Sequence, residues 1–358
     1  MAKTEDIVLG LISVALGNAE TINVSSNTNW KEVVDIASAQ GVLGLCFDGI
    51  EKVPSNQRPD TNILLQWFGQ VSYMENLYDK HYGVICELGQ FYANHNFRMM
   101  LLKGYGLSLY WPNPKHRPIG DIDIYLYGKW KEADNLLHAE LGIDIENGHH
   151  HHSVFQYKGQ SVENHYDFIN IHSHSSSKKI EGKFKKLVEK AGIEILPNIQ
   201  IPCPMLNALF VIRHAAGDFA AGHTTLKQIL DWSLMVKASH QDIDWSAFWN
   251  DVDIMGMKHF VLSIIGIAVK YLGFNISIFQ LPKHFLFDDE LVERVLYDTL
   301  QPDYIDERPK GYILYIKWMI SRWWAHRWKH KIVYSDSLLS TFFYQTKAHL
   351  MKPDTLRN

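Results

Sequence analysis

The sequence predicts an α+β fold, in which a small mixed-sheet core over residues 93–176 lies between an N-terminal helical region, 1–92, and a larger C-terminal helical domain, 177–358. Two observations carry this. Apolar residues recur at three- and four-residue spacing through both ends of the chain, which is the period of a buried helix face. Between about residues 95 and 176 the spacing changes to short apolar runs and period-2 alternation interrupted by a helical stretch, which is the pattern of a small α/β unit. Composition sets the outer bounds. The 358 residues are 46% hydrophobic and 21% charged, which fits a globular chain long enough for more than one packed unit. With 35 Lys and Arg against 39 Asp and Glu the formal charge is -4, so no overall positive field for general DNA binding is expected.

The elements follow in order. Ile7–Leu11–Val14, Val33–Ile36 and Ile63–Leu64–Trp67–Phe68 mark helices in the first region, the first of them capped by Thr4. Breaks are expected at Pro54-Ser55-Asn56 and at Arg58-Pro59-Asp60. Glu5 and Asp6 stand where a secretory signal needs basic residues, so Ile7–Ala15 is read as an ordinary helix. In the core, Arg98–Leu102 reads as a buried strand, Leu107–Tyr110 as a helix, Gly120–Leu126 as a strand and Trp130–Leu141 as a helix. His151–Tyr157 and Ser161–Phe168 alternate with period two across Lys158-Gly159-Gln160, a hairpin signal. Past Ser175–Lys179 the reading is helical to the C-terminus, through Leu206–Val211, Thr225–Val236, His259–Tyr271 and Leu291–Leu300. The most apolar stretch, Phe260–Phe274, is broken by Lys270 and falls short of the about 18 residues that a membrane span needs. Cys46, Cys86 and Cys203 are few and far apart, so neither a disulfide framework nor a CxxC zinc motif is expected, and a reducing cytoplasm is the natural compartment.

The chemistry concentrates in Gly120-Asp121-Ile122-Asp123-Ile124. On a strand Asp121 and Asp123 share one face while Ile122 and Ile124 enter the core. Two carboxylates that close repel each other unless a cation lies between them, and Mg2+ takes one or two carboxylates plus phosphate oxygens. A second run, Ser161-Val162-Glu163-Asn164-His165-Tyr166-Asp167, sets Glu163, His165 and Asp167 on one face. If the two strands are neighbours, Glu163 brings a third acid to the same sheet edge, and the three carboxyl groups converge within about 4 to 7 Å, as a two-metal phosphoryl-transfer site requires. Unrelated surface acids are the other reading of the spacing.

Leu101-Leu102-Lys103-Gly104, Leu109-Tyr110-Trp111-Pro112, Arg117-Pro118-Ile119-Gly120-Asp121-Ile122-Asp123 and Val162-Glu163-Asn164-His165-Tyr166 together resemble an uncharacterised bacterial branch of the nucleotidyltransferase superfamily, the DNA polymerase beta-like fold. His214 with Leu226-Lys227-Gln228 and Asp231-Trp232 resembles the helical region of the same branch. The resemblance covers roughly residues 95–240. It implies that Asp121, Asp123 and Glu163 hold two Mg2+ ions against an NTP, and that a nucleoside monophosphate passes to an acceptor hydroxyl that the sequence does not identify. Lys103, Gly104, Arg117, His165, His214 and Lys227 are the candidates to contact the nucleotide. In this chain Gly104 is followed by Tyr105 where the superfamily has Gly-Gly or Gly-Ser, and the gap to Asp121 is longer than usual. A degenerate member of the fold that binds nucleotide or a partner without turnover is the first alternative.

A second alternative rests on histidines. Seven of the 19 lie between His149 and His174. Read as a strand, His149 and His151 face one way and His150 and His152 the other, so a zinc site, and a hydrolase built on it, needs His165 or His172 to join one pair. Finally, Arg322–Lys331 interleaves tryptophans with basic residues, a pattern that fits nucleotide stacking, a membrane surface or helix packing with snorkelling cations.

Overall fold

The protein is described by a computed structural model over residues 3–22, 24–25, 27–149, 151–190, 192–283, 285–302, 309 and 311–351. The first region holds α1 (Lys3–Ala15), α2 (Trp30–Ala39), α3 (Leu43–Gly49) and the long α4 (Thr61–Asn94). The core follows with β1 (Met99–Leu101), α5 (Gly104–Ser108), β2 (Ile122–Tyr125), α6 (Trp130–Leu141), β3 (Ile145–Glu146), β4 (His152–Tyr157), β5 (Gln160–His165) and α7 (Ser177–Val188). Two more strands, β6 (Ile193–Leu196) and β7 (Ile199–Ile201), precede the helices α8 (Pro204–Ala221), α9 (Leu226–Ser239), α10 (Trp245–Ile254), α11 (Lys258–Leu272), α12 (Asp289–Leu300), α13 (Tyr312–Ala325), α14 (Arg327–Val333) and α15 (Leu338–Met351). Among the described residues no helix is long and apolar enough to cross a membrane.

Local chemistry explains the boundaries. Asp60 starts α4 because its carboxylate accepts the N–H groups of Asn62 and Ile63 at 2.9 and 3.0 Å, two donors that the helix itself leaves unpaired. The hairpin between β4 and β5 turns through Lys158 (φ 49°) and Gly159 (φ 77°), two left-handed residues in succession, as a tight two-residue turn demands. Thr4 does not cap α1. It lies inside the first turn, and its hydroxyl donates to Glu32 Oε2 at 3.2 Å.

The seven strands form one sheet in the order β3-β4-β5-β2-β1-β7-β6. β2 runs parallel to β5, and β1 parallel to β7; the other neighbours are antiparallel. The purely helical reading after residue 177 is therefore corrected, since β6 and β7 extend the sheet beyond β1. Their run Ile193–Ile201 is apolar at alternate positions, but Pro197 and Pro202 hid it among loop signals.

Each face of the sheet has its own core. Met99, Leu101, Ile122, Ile124, Val162 and Ile199 pack against Ile85, Leu88 and Tyr92 of α4 and Ala133 and Leu137 of α6. The opposite face contributes Met100, Leu102, Tyr125 and Phe168 to a large core shared with α1–α3 and α8–α12. Period two then decides where the acids go. Asp121 and Asp123 alternate with Ile122 and Ile124, so they face the side from which α8 and α9 approach.

Candidate active site

The parallel pairing of β2 with β5 sets Asp123 directly opposite Glu163, and Tyr125 opposite His165. Glu163 and His165 thus lie on the same face as Asp123, although about 40 residues separate the strands in sequence. The His165 ring donates from Nε2 to Asp123 Oδ1 at 2.9 Å and lies 3.3 Å from Glu163 Oε2. At the exit of β1 the Leu102 N–H donates to the Asp123 carbonyl at 3.1 Å, which brings the next side chain, Lys103, onto Asp123 Oδ1 at 2.7 Å. Asp123 is 4% exposed. Asp121, just before β2, is exposed.

The electrostatics follow from this packing. Burial alone would raise the Asp123 carboxyl, but the Lys103 ammonium and His165 outweigh it and hold the group well below the carboxylate range. Burial alone would lower His165, but its hydrogen bonds to Asp123 and Glu163 prevail and favour the imidazolium. Glu163 is lowered because the His165 contact overrides burial and the Asp123 charge. Asp121 moves the other way: exposed as the residue is, desolvation of its carboxyl beside the sheet raises it, and the charges of Asp123 and Glu163 add to this. The Lys103 ammonium and the His165 N–H therefore both face Asp123, and Asp121 is the carboxylate left with excess negative charge around it.

Three further residues named from the sequence sit around this cluster. Gly104 (φ 44°) packs on the backbone of Asp121, and a Cβ there would lie 3.4 Å from the Asp121 carbonyl. The helix it opens is only five residues long. His214 comes from α8. Burial and the Lys103 charge push its imidazole down to about 4, although 40% of its side chain is open to solvent. The charges of Asp123 and His165 also act on it. Lys227, in the first turn of α9, is half-buried, and its ammonium feels Asp121, Asp231, Asp218 and Arg117, with burial and Arg117 lowering it.

Arg117 is placed differently. Its guanidinium clasps Asp231 of α9 with Nε to Oδ1 at 2.7 Å and Nη2 to Oδ2 at 2.9 Å, and Nη1 donates to the Pro118 carbonyl. The Trp111 indole N–H also donates to Asp231 Oδ1 at 2.9 Å. Both partners of the ion pair are nearly fully buried, so Arg117 tethers the loop before β2 to α9. Asp167 also leaves the cluster, because β5 ends at His165 and the Asp167 carboxylate pairs with Lys185 instead.

The histidine run departs from strict alternation. β4 begins at His152, and His151 precedes it in a bend, so both rings lie against His165, with centroids 5.2 and 5.5 Å away. His150 lies outside the described residues. Burial, then the neighbouring charge of His165, pushes His151 down to about 2. Burial, despite the Glu163 charge, pushes His152 down to about 4. Asp123, Glu163 and His165 offer ligand atoms within 4.8 Å of one another, and so do His151, His152 and His165. One positioning residue had no signal in the sequence. His81 of α4 is 2% exposed, and its Nε2 meets the Gly120 carbonyl at 2.6 Å, which anchors the backbone just before Asp121. Another, Asp218, could have been found from its i,i+4 spacing to His214, which it meets at 3.3 Å.

In the tail, Lys329 is 2% exposed and joins Asp298 at 2.6 Å and the Gly222 carbonyl at 2.5 Å, while Trp328 meets Phe219 edge-on. This half of the segment is packed against the helical core. Trp324, at 58% exposed, is not.

A family model described as an uncharacterised nucleotidyltransferase matches residues 26–273 of the chain. No curated protein and no solved structure matches.

Proposed function

Because the chain belongs to that uncharacterised nucleotidyltransferase family, we propose that the sheet-edge cluster transfers a nucleoside monophosphate from an NTP to an acceptor hydroxyl. The observation that carries the reading is the β2–β5 register, which pairs Asp123 with Glu163 and leaves Asp121 beside both. The donor set suits Mg2+: hard carboxylate oxygens on adjacent strands, with Asp123 Oδ2 accepting no hydrogen bond among the described residues. Asp121, Asp123 and Glu163 would hold the metal, two ions in the arrangement that the family implies. When bound, Mg2+ supplies positive charge to the phosphate oxygens and lowers the proton affinity of a coordinated hydroxyl.

The chain's own residues have separate tasks. Lys103 is a fixed ammonium at the bottom of the cluster and can turn toward phosphate oxygens when the charge on Asp123 is otherwise neutralised. Lys227 and His214, brought from α9 and α8, line the open side of the cleft and fit the outer phosphates. The acceptor hydroxyl gives its proton to solvent as its oxygen forms a bond to the α-phosphorus, the bond from that phosphorus to the bridging oxygen breaks, and pyrophosphate leaves with its electron pair. His165 orients Asp123 and Glu163 through its ring N–H.

The test is Asp121→Asn. The purified chain is titrated with each of the four common NTPs, with and without Mg2+. The wild type should bind at least one NTP in a Mg2+-dependent way, and the variant should lose that dependence while its melting curve stays cooperative. Equal Mg2+-dependent binding by the variant removes Asp121 from the site.

A further inference from the structure

We propose that His151, His152 and His165 form a site for a borderline-soft divalent transition ion such as Zn2+ or Co2+, which borders the carboxylate cluster and shares His165 with it. The proposal stands whether or not nucleotidyl transfer is the reaction. The three residues offer ligand atoms within 4.8 Å of one another. A tetrahedral zinc with Zn–N distances near 2.0–2.1 Å needs nitrogens about 3.3 Å apart, so modest side-chain rotation closes the set. The backbone already converges: His152 and His165 are register partners across β4 and β5, and the bend at His151 adds the third ring, 4.4 Å from His152 between centroids.

The second observation concerns unused nitrogens. The Nδ1 atoms of His151 and His152 are both buried, and neither has a hydrogen-bond partner. His152 is 8% exposed. Buried polar atoms of native proteins are ordinarily satisfied, and two orphaned imidazole nitrogens converging on a third ring point to a ligand between them. A cation with imidazole preference satisfies both at once. Mg2+ prefers oxygen and is a poor match, whereas zinc, cobalt and nickel suit a nitrogen set. Glu163 Oε2 lies 3.6 Å from His152 Nδ1 and is the nearest candidate for a fourth donor. On binding, His165 releases to solvent the proton that it directs at Asp123, and the ion takes that position.

Co2+ is the probe, because its visible d–d absorption reports coordination without any assay of activity. Chelator-stripped full-length protein is titrated with Co2+ in the presence of a large excess of Mg2+, then back-titrated with Zn2+. The expected result is saturation at about one Co2+ per chain, displacement by Zn2+, and affinity at least roughly tenfold weaker in His151→Ala and His152→Gln, the lower bound for disturbing a metal site. Asp121→Asn should change that affinity by less. Circular dichroism checks that the variants fold, and if His152→Gln does not, the less buried His151→Ala decides. No saturable spectrum, undiminished binding in the histidine variants, or loss of the ion to Mg2+ or to Asp121→Asn would each overturn the proposal.

Discussion

At the scale of single residues, the two aspartates of the DxD pair should behave oppositely when the metal is absent. Asp123 neutralises Lys103 and His165 in a buried site, so Asp123→Asn leaves uncompensated positive charge and should cost about 3 kcal/mol. Asp121 is exposed and is raised in part by Asp123 and Glu163, so Asp121→Asn relieves repulsion and should leave stability unchanged or slightly higher. Urea denaturation of both variants in chelator reads this directly, and equal losses would mean that Asp121 is also structural. Of this contrast, the sequence made the shared face of the two aspartates legible. It could not reveal that Lys103 and His165 both spend themselves on Asp123, because those partners arrive from other strands. His174 provides a pH prediction far from the acids. It is buried, stacks on Tyr334 at 3.7 Å between centroids, and is faced by Arg213, His330 and Asp336. Burial first, then Arg213, depresses its imidazole to about 3. Its contribution is full above the unfolded value near 6.5 and is lost as pH falls toward 3, since only the unfolded chain accepts the proton over that window. One such group changes stability by at most about 1.4 kcal/mol per pH unit. His174→Phe keeps the stack and should flatten the wild-type slope between about pH 6.5 and 4; an unchanged slope would assign the acid sensitivity elsewhere.

At the scale of elements, the loop before β2 is held by helices that carry no chemistry themselves. His116 is 6% exposed, and its ring lies between Asp48 of α3, at 2.8 Å, and Glu75 of α4, at 3.2 Å. α3 comes close enough for this only because Gly44 has no side chain. A Cβ there would lie 2.9 Å from both the Cα and the carbonyl oxygen of His116, which are backbone atoms and cannot rotate away. Gly44→Ala should therefore cost about 1–3 kcal/mol and displace the segment that leads through Arg117 to Asp121. Differential scanning calorimetry checks the loss, and a neutral effect would show that the loop yields freely. Elements with strong local signals were legible from the sequence. α6 follows its apolar spacing, and the β4–β5 hairpin follows the glycine turn. β6 and β7 were not, because strands of three or four residues flanking Pro197 are specified by their partners, β1 for β7 and β7 for β6, more than by themselves.

At the scale of the whole molecule, contacts far apart in sequence tie α9 to the rest of the fold. Gln40, at the end of α2, accepts the Leu226 N–H of α9 at 3.0 Å and donates to the Thr299 carbonyl of α12 at 2.8 Å. The Arg117–Asp231 pair joins the loop before β2 to the same helix that presents Lys227. Asp231→Ala leaves Arg117 charged and buried without a partner, and should cost about 3–5 kcal/mol as read by denaturant midpoint. A loss under 1 kcal/mol would mean that water or another acid replaces it. This level of organisation was the least legible in the sequence, where Arg117 and Lys227 look equally suited to phosphate. Only the packing of α9 against the core shows that Arg117 is a tether, clasped by Asp231, whereas Lys227 makes no such buried pair among the described residues. The central claim is that Asp123 and Glu163, paired across β2 and β5, share one nucleotide site with Asp121. Calorimetric titration of wild type and Glu163→Gln with each NTP in Mg2+ tests it most directly. Saturable, Mg2+-dependent binding of at least one NTP to the wild type is expected, with its loss in a variant that melts like the wild type. Binding of the same affinity to both proteins would contradict it.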